Sequence, residues 1–149
     1  MISKPYAAVM NIEIKDSRLL NEIQKEFNKE FPYLKIEFFE SPHKRKEALP
    51  KSKMYATNRQ IGTCRRIHDD GVVSIERNDT VAKFEQDMWD NFGLSVQVFR
   101  RSGNLWIETS LTDSWTLERQ NKEGLELSNH RNPYKDAEEN DFTDRDKWE

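Results

Sequence analysis

The residues best suited to chemistry in this sequence are Cys64 and His68, with two aspartates directly after them. A thiol and an imidazole can form a nucleophilic pair or bind a metal ion together. In an extended strand, however, residues four apart are separated by roughly 13 Å, which is too far for direct contact. Cys64 is the only cysteine, and the other histidines, His43 and His130, lie in polar stretches. The sequence therefore predicts no catalytic residue and no metal site here.

Phosphate-binding and hydrolytic motifs are missing from the sequence. With five glycines, the chain contains neither G-x-G-x-x-G nor G-x-x-x-x-G-K-[ST], and it lacks G-x-S-x-G and H-E-x-x-H. Its paired carboxylates fall in predicted loops and near the C-terminus, where solvent keeps their acidities ordinary. These observations disfavour an enzyme and indicate no cofactor, although a metal-free site built from scattered residues stays an alternative.

The strongest local signal is a concentration of basic side chains. Between positions 40 and 60, which we call the basic loop, six basic residues stand against two acidic ones. Clustered Lys and Arg neutralise phosphates, and Tyr55, Phe38 or Phe39 could stack on bases. The alternative is a solvated loop that contacts the acidic C-terminal stretch. The candidate anion-binding or nucleic-acid-binding residues are Lys44, Arg45, Lys46, Lys51, Lys53, Arg59, Arg65, Arg66, Arg100 and Arg101.

A second candidate surface combines arginine with tryptophan. If Arg100 and Arg101 share a face with Trp106, they form an arginine–aromatic surface for RNA or a protein partner; otherwise they are exposed residues at a turn. Near the C-terminus, Phe142 and Trp148 each stand among acids, as in short linear motifs that dock on a basic, apolar groove. The candidate protein-interface residues are thus Arg101, Trp106, Phe142 and Trp148.

Composition limits the class of protein. Of 149 residues, 35% are hydrophobic and 34% charged, no apolar run reaches membrane-spanning length, and no secretion signal opens the chain. With a single cysteine, this predicts a cytoplasmic protein without a membrane segment. The net charge is −3, and residues 125–149 carry eight acidic side chains against four basic ones. We expect one domain at 1–127 and an acidic, disordered tail at 128–149.

Hydrophobic periodicity predicts the elements that position these residues. The sequence indicates strands at Val9–Lys15, Leu34–Phe38, Val72–Glu76, Leu94–Phe99 and Leu105–Thr109, with a weaker strand at Ile61–Ile67 that pairs with the one after it. It indicates helices at about Arg18–Phe31, Val81–Phe92 and Leu117–Glu123, the first capped by Asp16 or Ser17. No repeat with a fixed period is visible.

These elements predict an α+β fold in the order βαβ–loop–ββαββ–α. One arrangement is a single mixed or antiparallel sheet with both long helices on one face, which is ferredoxin-like with an added strand. The other is a β-grasp-like unit from Ile61 to Ser110 with the first third packed beside it. We prefer the single sheet, because each third alone is too small to be stable.

Two stretches resemble a known family. The segment FGLSVQVFRRSGNLWIETSLTDSWTLERQNKEG at Phe92–Gly124 is similar to a family of small uncharacterised bacterial proteins, many from Bacteroidota. Several of these also carry a segment similar to FPYLKIEFF, which stands here at Phe31–Phe39. The resemblance implies a bacterial intracellular protein, and it assigns no activity and no site residue.

The sequence leaves three hypotheses for function. The first is a non-catalytic regulatory module that engages a protein partner through an exposed sheet edge or hairpin, assisted by the acidic tail. The second is a nucleic-acid-binding accessory protein that uses the basic loop. The third, which we favour least, is an enzyme or small-ligand binder with a pocket between the sheet and the loop.

Overall fold

The computed structural model describes residues 9–42 and 44–129. The strands are β1 (Met10–Ile14), β2 (Leu34–Phe39), β3 (Gly71–Ile75), β4 (Ser95–Ser102) and β5 (Leu105–Glu108). The helices are α1 (Leu20–Glu30), α2 (Val81–Phe92) and α3 (Leu117–Asn129), with short 3-10 turns at Lys51–Lys53, Ile61–Cys64 and Ser110–Thr112. The predicted α+β class is confirmed. The acidic stretch from 130 onward, including Phe142 and Trp148, lies outside the described residues, as does His43.

The strands form two antiparallel sheets instead of the single sheet that we preferred. β1 pairs with β3, while β2, β4 and β5 form a three-stranded sheet in that order. The weak strand predicted at Ile61–Ile67 is wrong, because a 3-10 turn begins there and β3 pairs with β1 instead. Alternation in a short stretch cannot distinguish a strand from a turn that buries only Ile61 and Cys64.

The two strand–helix–strand units are arranged about an approximate internal two-fold. Each first strand pairs with the other first strand, with Ile12 opposite Val73 at the centre. Each second strand pairs with the other second strand, with Glu37 opposite Gln97. This relation is not visible as a repeat in the sequence. The two units share a hydrophobic pattern rather than residue identities, and the long loop separates them.

Helix α1 begins without the side-chain cap that the sequence predicts. The predicted cap of α1 at Asp16 or Ser17 is wrong, because Leu19 occupies the cap position without a side-chain hydrogen bond. The N–H groups of Leu20 and Asn21 instead donate to the carbonyls of Arg59 and Thr57, both at 2.9 Å. The basic loop therefore satisfies donors that a helix start leaves unpaired.

The starts of α2 and α3 satisfy each other in the same way. Val81 N donates to Trp115 O at 3.0 Å, and Leu117 N donates to Asp79 O at 2.8 Å. At α2 a side-chain cap is also present, since Lys83 N donates to Thr80 Oγ1 at 3.0 Å. The reciprocal bonds fix the segment before α3 against α2.

The core lies where the helices meet the sheets. The rings of Phe27 on α1 and Phe84 on α2 stack with centroids 5.2 Å apart. Phe31 and Ile36 are fully buried in the same cluster. α1 packs on β2 and α2 on the neighbouring β4, so both long helices cover one face of the three-stranded sheet. That face is fully committed to the core. On the opposite face Gln97 and Phe99 are also buried, so the surfaces that remain for binding are the strand edge and the hairpin end of the sheet.

Candidate functional site

The hairpin brings Arg101 and Trp106 together on one face, which is the condition for an arginine–aromatic surface. The two residues are paired across β4 and β5. The Arg101 guanidinium carbon lies 5.4 Å from the indole centroid, and Lys35 Nζ lies 5.2 Å from it. Arg101 Nε also donates to Gly103 O at 2.6 Å, which fixes the side chain over the turn. The hairpin thus presents an ordered cationic–aromatic face.

The outer edge of β5 is the unpaired edge of the three-stranded sheet among residues 9–42 and 44–129. Within the part of the chain that the structure describes, β5 pairs with β4 alone. Two apolar side chains are exposed beside it: Ile107 is 40% exposed on the strand, and Leu111 is 80% exposed in the turn that follows. Sequence reasoning missed Leu111, whose only signal is an aliphatic residue isolated among polar ones.

Arg100 does not belong to this surface. It alternates to the other face, where its Nη1 donates to Gln120 Oε1 of α3 at 2.8 Å and its guanidinium carbon lies 5.7 Å from the Trp115 centroid. Burial lowers the pKa of Arg100, and the charge of Glu123 only partly offsets that effect. Arg100 is therefore a packing residue, and Arg101 alone of the pair faces the hairpin surface.

The first part of the basic loop is tied down by one buried acid. Asp113, with 1% side-chain exposure, accepts from Arg45 Nε at 3.3 Å and from Lys46 N at 3.2 Å, and Lys46 Nζ lies 3.9 Å from it. Leu49 N then donates to Gln97 Oε1 on β4 at 3.1 Å. These contacts neutralise part of the charge and hold residues 45–49 against the sheet.

The second part of the loop extends the sheet and remains basic. Met54 forms an antiparallel bridge with Phe39, so the loop covers the outer edge of β2. Lys53 Nζ lies 3.9 Å from Glu40 Oε1. Arg59 stacks over Tyr55 at 4.7 Å and donates to the carbonyl of Thr63 at 2.8 Å. Lys44 and Lys51 are exposed.

Arg65 is a structural residue of the interior, whereas Arg66 beside it is exposed. The Arg65 side chain is fully buried, and its Nη1 donates to Asp69 O at 2.8 Å and to Phe92 O at 3.2 Å. Its Nε donates to Asp16 Oδ1 at 3.0 Å. Desolvation acts to raise the pKa of Asp16, but hydrogen bonds from Arg65 and His68 outweigh it and hold the pKa below its usual value. Arg65 is thus unavailable to an external phosphate.

Cys64 and His68 do not form a catalytic pair. The Cys64 thiol is buried and lies 3.5 Å from Gln60 O, whereas His68 Nδ1 lies 2.7 Å from Asp16 Oδ2. Over residues 9–42 and 44–129, no group of three His, Cys, Asp or Glu side chains could hold a metal ion. No helix in the described chain is long and apolar enough to cross a membrane.

A cavity of about 790 Å³ opens where the loop, β4 and the end of α2 meet. We call it the α2 groove. Its aromatic walls are Phe39, Tyr55 and Trp89, and Cys64 and Ser95 also line it. The sequence could not reveal the groove, because four segments distant in the chain build it.

Comparisons with known protein families, with curated proteins and with solved structures find no match to this chain.

Proposed function

We propose that this protein is a non-catalytic binding module of the bacterial cytoplasm, whose β5 edge and hairpin face engage a protein partner. The observation that carries the proposal is the geometry of the hairpin. An accessible strand edge lies next to exposed Ile107, and the ordered pair Arg101–Trp106 stands on the adjoining face. The resemblance to bacterial intracellular proteins and the single cysteine support the setting.

The partner segment that fits this site is an extended chain. A strand added to β5 would pair its backbone with the edge, which supplies affinity with little dependence on sequence. Alternate side chains of such a strand would meet Trp106 on one face and Ile107 on the other, because neighbouring residues of β5 point to opposite faces. Arginine and tryptophan are enriched among the residues that dominate binding energy at interfaces.

The contacts made by the basic side chains favour this proposal over the nucleic-acid alternative. Arg45 and Lys46 contact Asp113, and Lys53 lies near Glu40. Arg65 is buried and Arg100 packs on α3. A site for nucleic acid needs several exposed cations in one field. Only part of the predicted set is available for that purpose.

One observation keeps nucleic-acid binding as the second candidate. Lys44, Lys51, Lys53, Arg59 and Arg66 are all exposed along one segment. If this segment binds RNA or DNA, replacing Lys44, Lys51 and Lys53 by Ala should weaken binding. The salt dependence should fall by roughly one unit for each phosphate that the variant no longer neutralises. Binding to labelled RNA and DNA, compared between low salt and about 200 mM salt, measures this directly.

The test of the first proposal uses two substitutions of similar kind. Ile107→Lys places a charge beside the β5 edge, and Val72→Lys places one on β3, where Val72 is 57% exposed. We expect a partner captured from bacterial cytosol to be lost with Ile107→Lys and with Trp106→Ala, and retained with Val72→Lys. Equal capture by all variants, or capture that depends on the basic loop and on nucleic acid, would overturn the proposal.

A further inference from the structure

The hydroxyl of Ser95 marks the α2 groove as more than a surface depression. Ser95 is only 4% exposed, and its Oγ has no hydrogen-bond partner among the described residues. Buried polar side chains in folded proteins nearly always have a partner, so an exception calls for an explanation at that place. Ser95 lines the groove together with Cys64, at its buried end.

The dimensions and walls of the groove are those of a small-ligand site. Its volume of about 790 Å³ lies within the roughly 300–1,000 Å³ typical of such sites. Three aromatic side chains line it, and charged and hydroxyl groups in the same wall could fix the orientation of a ligand. Trp89 comes from α2, Tyr55 from the basic loop, and Phe39 from the end of β2.

The walls are held in place without a ligand. Tyr55 N donates to Phe38 O at 2.8 Å, which ties the loop wall to β2. Arg65 ties the opposite wall to the end of α2 through Phe92 O. Gly93 has a φ of 66°, and a Cβ there would lie 2.7 Å from the Ile67 side chain, so the chain can pass this closely only with glycine. A preformed site loses little free energy to ordering on binding.

Charge decides the class of ligand. Arg66 lines the groove, is exposed, and makes no hydrogen bond or ion pair within the described residues. The acids of the rim are partly engaged, since Glu40 lies 3.9 Å from Lys53 Nζ and Asp90 accepts from Gln86 at 2.8 Å. One uncommitted guanidinium matches one carboxylate, which it can bind through two parallel hydrogen bonds. The two rim acids oppose a doubly charged phosphate about twice as strongly as a singly charged carboxylate.

We propose that the α2 groove binds a small planar aromatic monocarboxylate, with its ring against Trp89 and Tyr55, its carboxylate at Arg66 and a polar ring substituent at Ser95. This site is separate from the β5 edge, and its failure would leave the proposed partner binding untouched.

The test uses three probes of nearly equal shape and different charge: naphthoate, naphthalenemethanol and naphthylmethylamine. Each is titrated into the full chain and followed by amide proton–nitrogen correlation spectra. We expect saturable shifts for naphthoate at the amides of Cys64 and Ser95 and at the Trp89 indole. Arg66→Gln should weaken naphthoate binding about tenfold, because it removes a charge-assisted hydrogen bond. Lys44→Gln, an exposed cation that does not line the groove, is the matched control.

A second comparison isolates Ser95. Hydroxynaphthoate should bind more tightly than naphthoate to the wild-type protein, and Ser95→Ala should abolish that difference. Spectra of both variants report whether the fold is intact. Absence of saturable shifts in the groove, shifts spread over the surface, or equal binding of the amine would each overturn the proposal. If Ser95→Ala prefers hydroxynaphthoate over naphthoate as strongly as the wild-type protein does, the role of the hydroxyl in ligand binding would be overturned.

Discussion

Arg65 and Asp16 form an ion pair that ties three parts of the chain together, with Arg65 Nη2 2.8 Å from Asp16 Oδ1. Asp16 precedes α1, while the Arg65 guanidinium also donates to the carbonyl of Phe92 at the end of α2. The contact through Nη2 is close but poorly aligned for a hydrogen bond, whereas Nε donates at 3.0 Å. A residue that the sequence suggests for phosphate binding is therefore part of the scaffold.

Replacing Arg65 by Ala should strongly destabilise the protein. The change leaves two carbonyls and one oxygen of the Asp16 carboxylate without the donor that Arg65 supplies, and removing one partner of a buried pair costs about 3–5 kcal/mol. Because Asp16 is 42% exposed and water can reach it, we expect about 2–4 kcal/mol. Urea unfolding measures this loss. Arg66→Ala is the control and should change stability by less than about 0.5 kcal/mol; equal stability of the two variants would refute the structural role.

Glu85 should make stability fall as pH rises. Burial raises the pKa of Glu85 to about 8, with a further contribution from the Asp113 carboxylate, against 4.5 in the unfolded chain. Between these values the folded state holds a proton that the unfolded state has released, so the free energy of unfolding declines by at most about 1.4 kcal/mol per pH unit. The contribution is fully present below pH 4.5 and is lost as pH passes through about 8.

Glu85→Gln should flatten this part of the pH profile, since a neutral amide keeps the oxygen that accepts from Val98 N at 2.9 Å. Unfolding measured by denaturant at pH 5, 6, 7 and about 8 gives the slope. The exposed Glu118→Gln serves as the control and should preserve the wild-type slope. An unchanged slope in Glu85→Gln would show that this carboxyl does not titrate in that window.

Removal of two buried hydroxyls should change the free energy of unfolding in opposite directions. Ser95→Ala deletes a hydroxyl without a described partner, and we expect the free energy of unfolding to rise by about 1 kcal/mol or more. Thr109→Val deletes a hydroxyl that donates to Val98 O at 2.8 Å, and we expect a loss of about 1–3 kcal/mol. Thermal and urea unfolding of both variants test the contrast; a loss in Ser95→Ala comparable to that in Thr109→Val would contradict it.

Asp113→Asn should release the first part of the basic loop. The amide cannot pair with the charges of Arg45 and Lys46, so the segment from 45 to 49 should open more often. We expect tryptic cleavage after Arg45 and Lys46 to accelerate several-fold, with Asp87→Asn on the surface of α2 as the control. Cleavage at the wild-type rate would mean that Leu49 and the sheet hold the loop without Asp113.

The sequence predicted the elements well where periodicity extends over many residues. The four-residue spacing of Leu19, Ile23, Phe27 and Phe31 locates α1, and Gly93 ends α2 in the left-handed conformation that glycine favours at helix ends. These features depend on local conformational preferences and on one buried face, which a single sequence displays directly.

The features that the sequence did not reveal depend on contacts between distant segments. The basic loop supplies backbone carbonyls to α1, which no side-chain pattern encodes. The pairing of β1 with β3 replaced the expected local hairpin. Arg45, Arg65 and Arg66 look alike in sequence. Only the positions of Asp113 and Asp16, which pair with Arg45 and Arg65, separate these two from Arg66.

The most direct test of the central claim is hydrogen exchange of the β5 backbone with and without the captured partner. The account predicts that binding slows exchange at Leu105–Glu108, because a strand added to this edge would take up its outward N–H groups. Protection should be lost with Ile107→Lys and kept with Val72→Lys. Protection confined to the basic loop, with unchanged exchange in β5, would contradict the account.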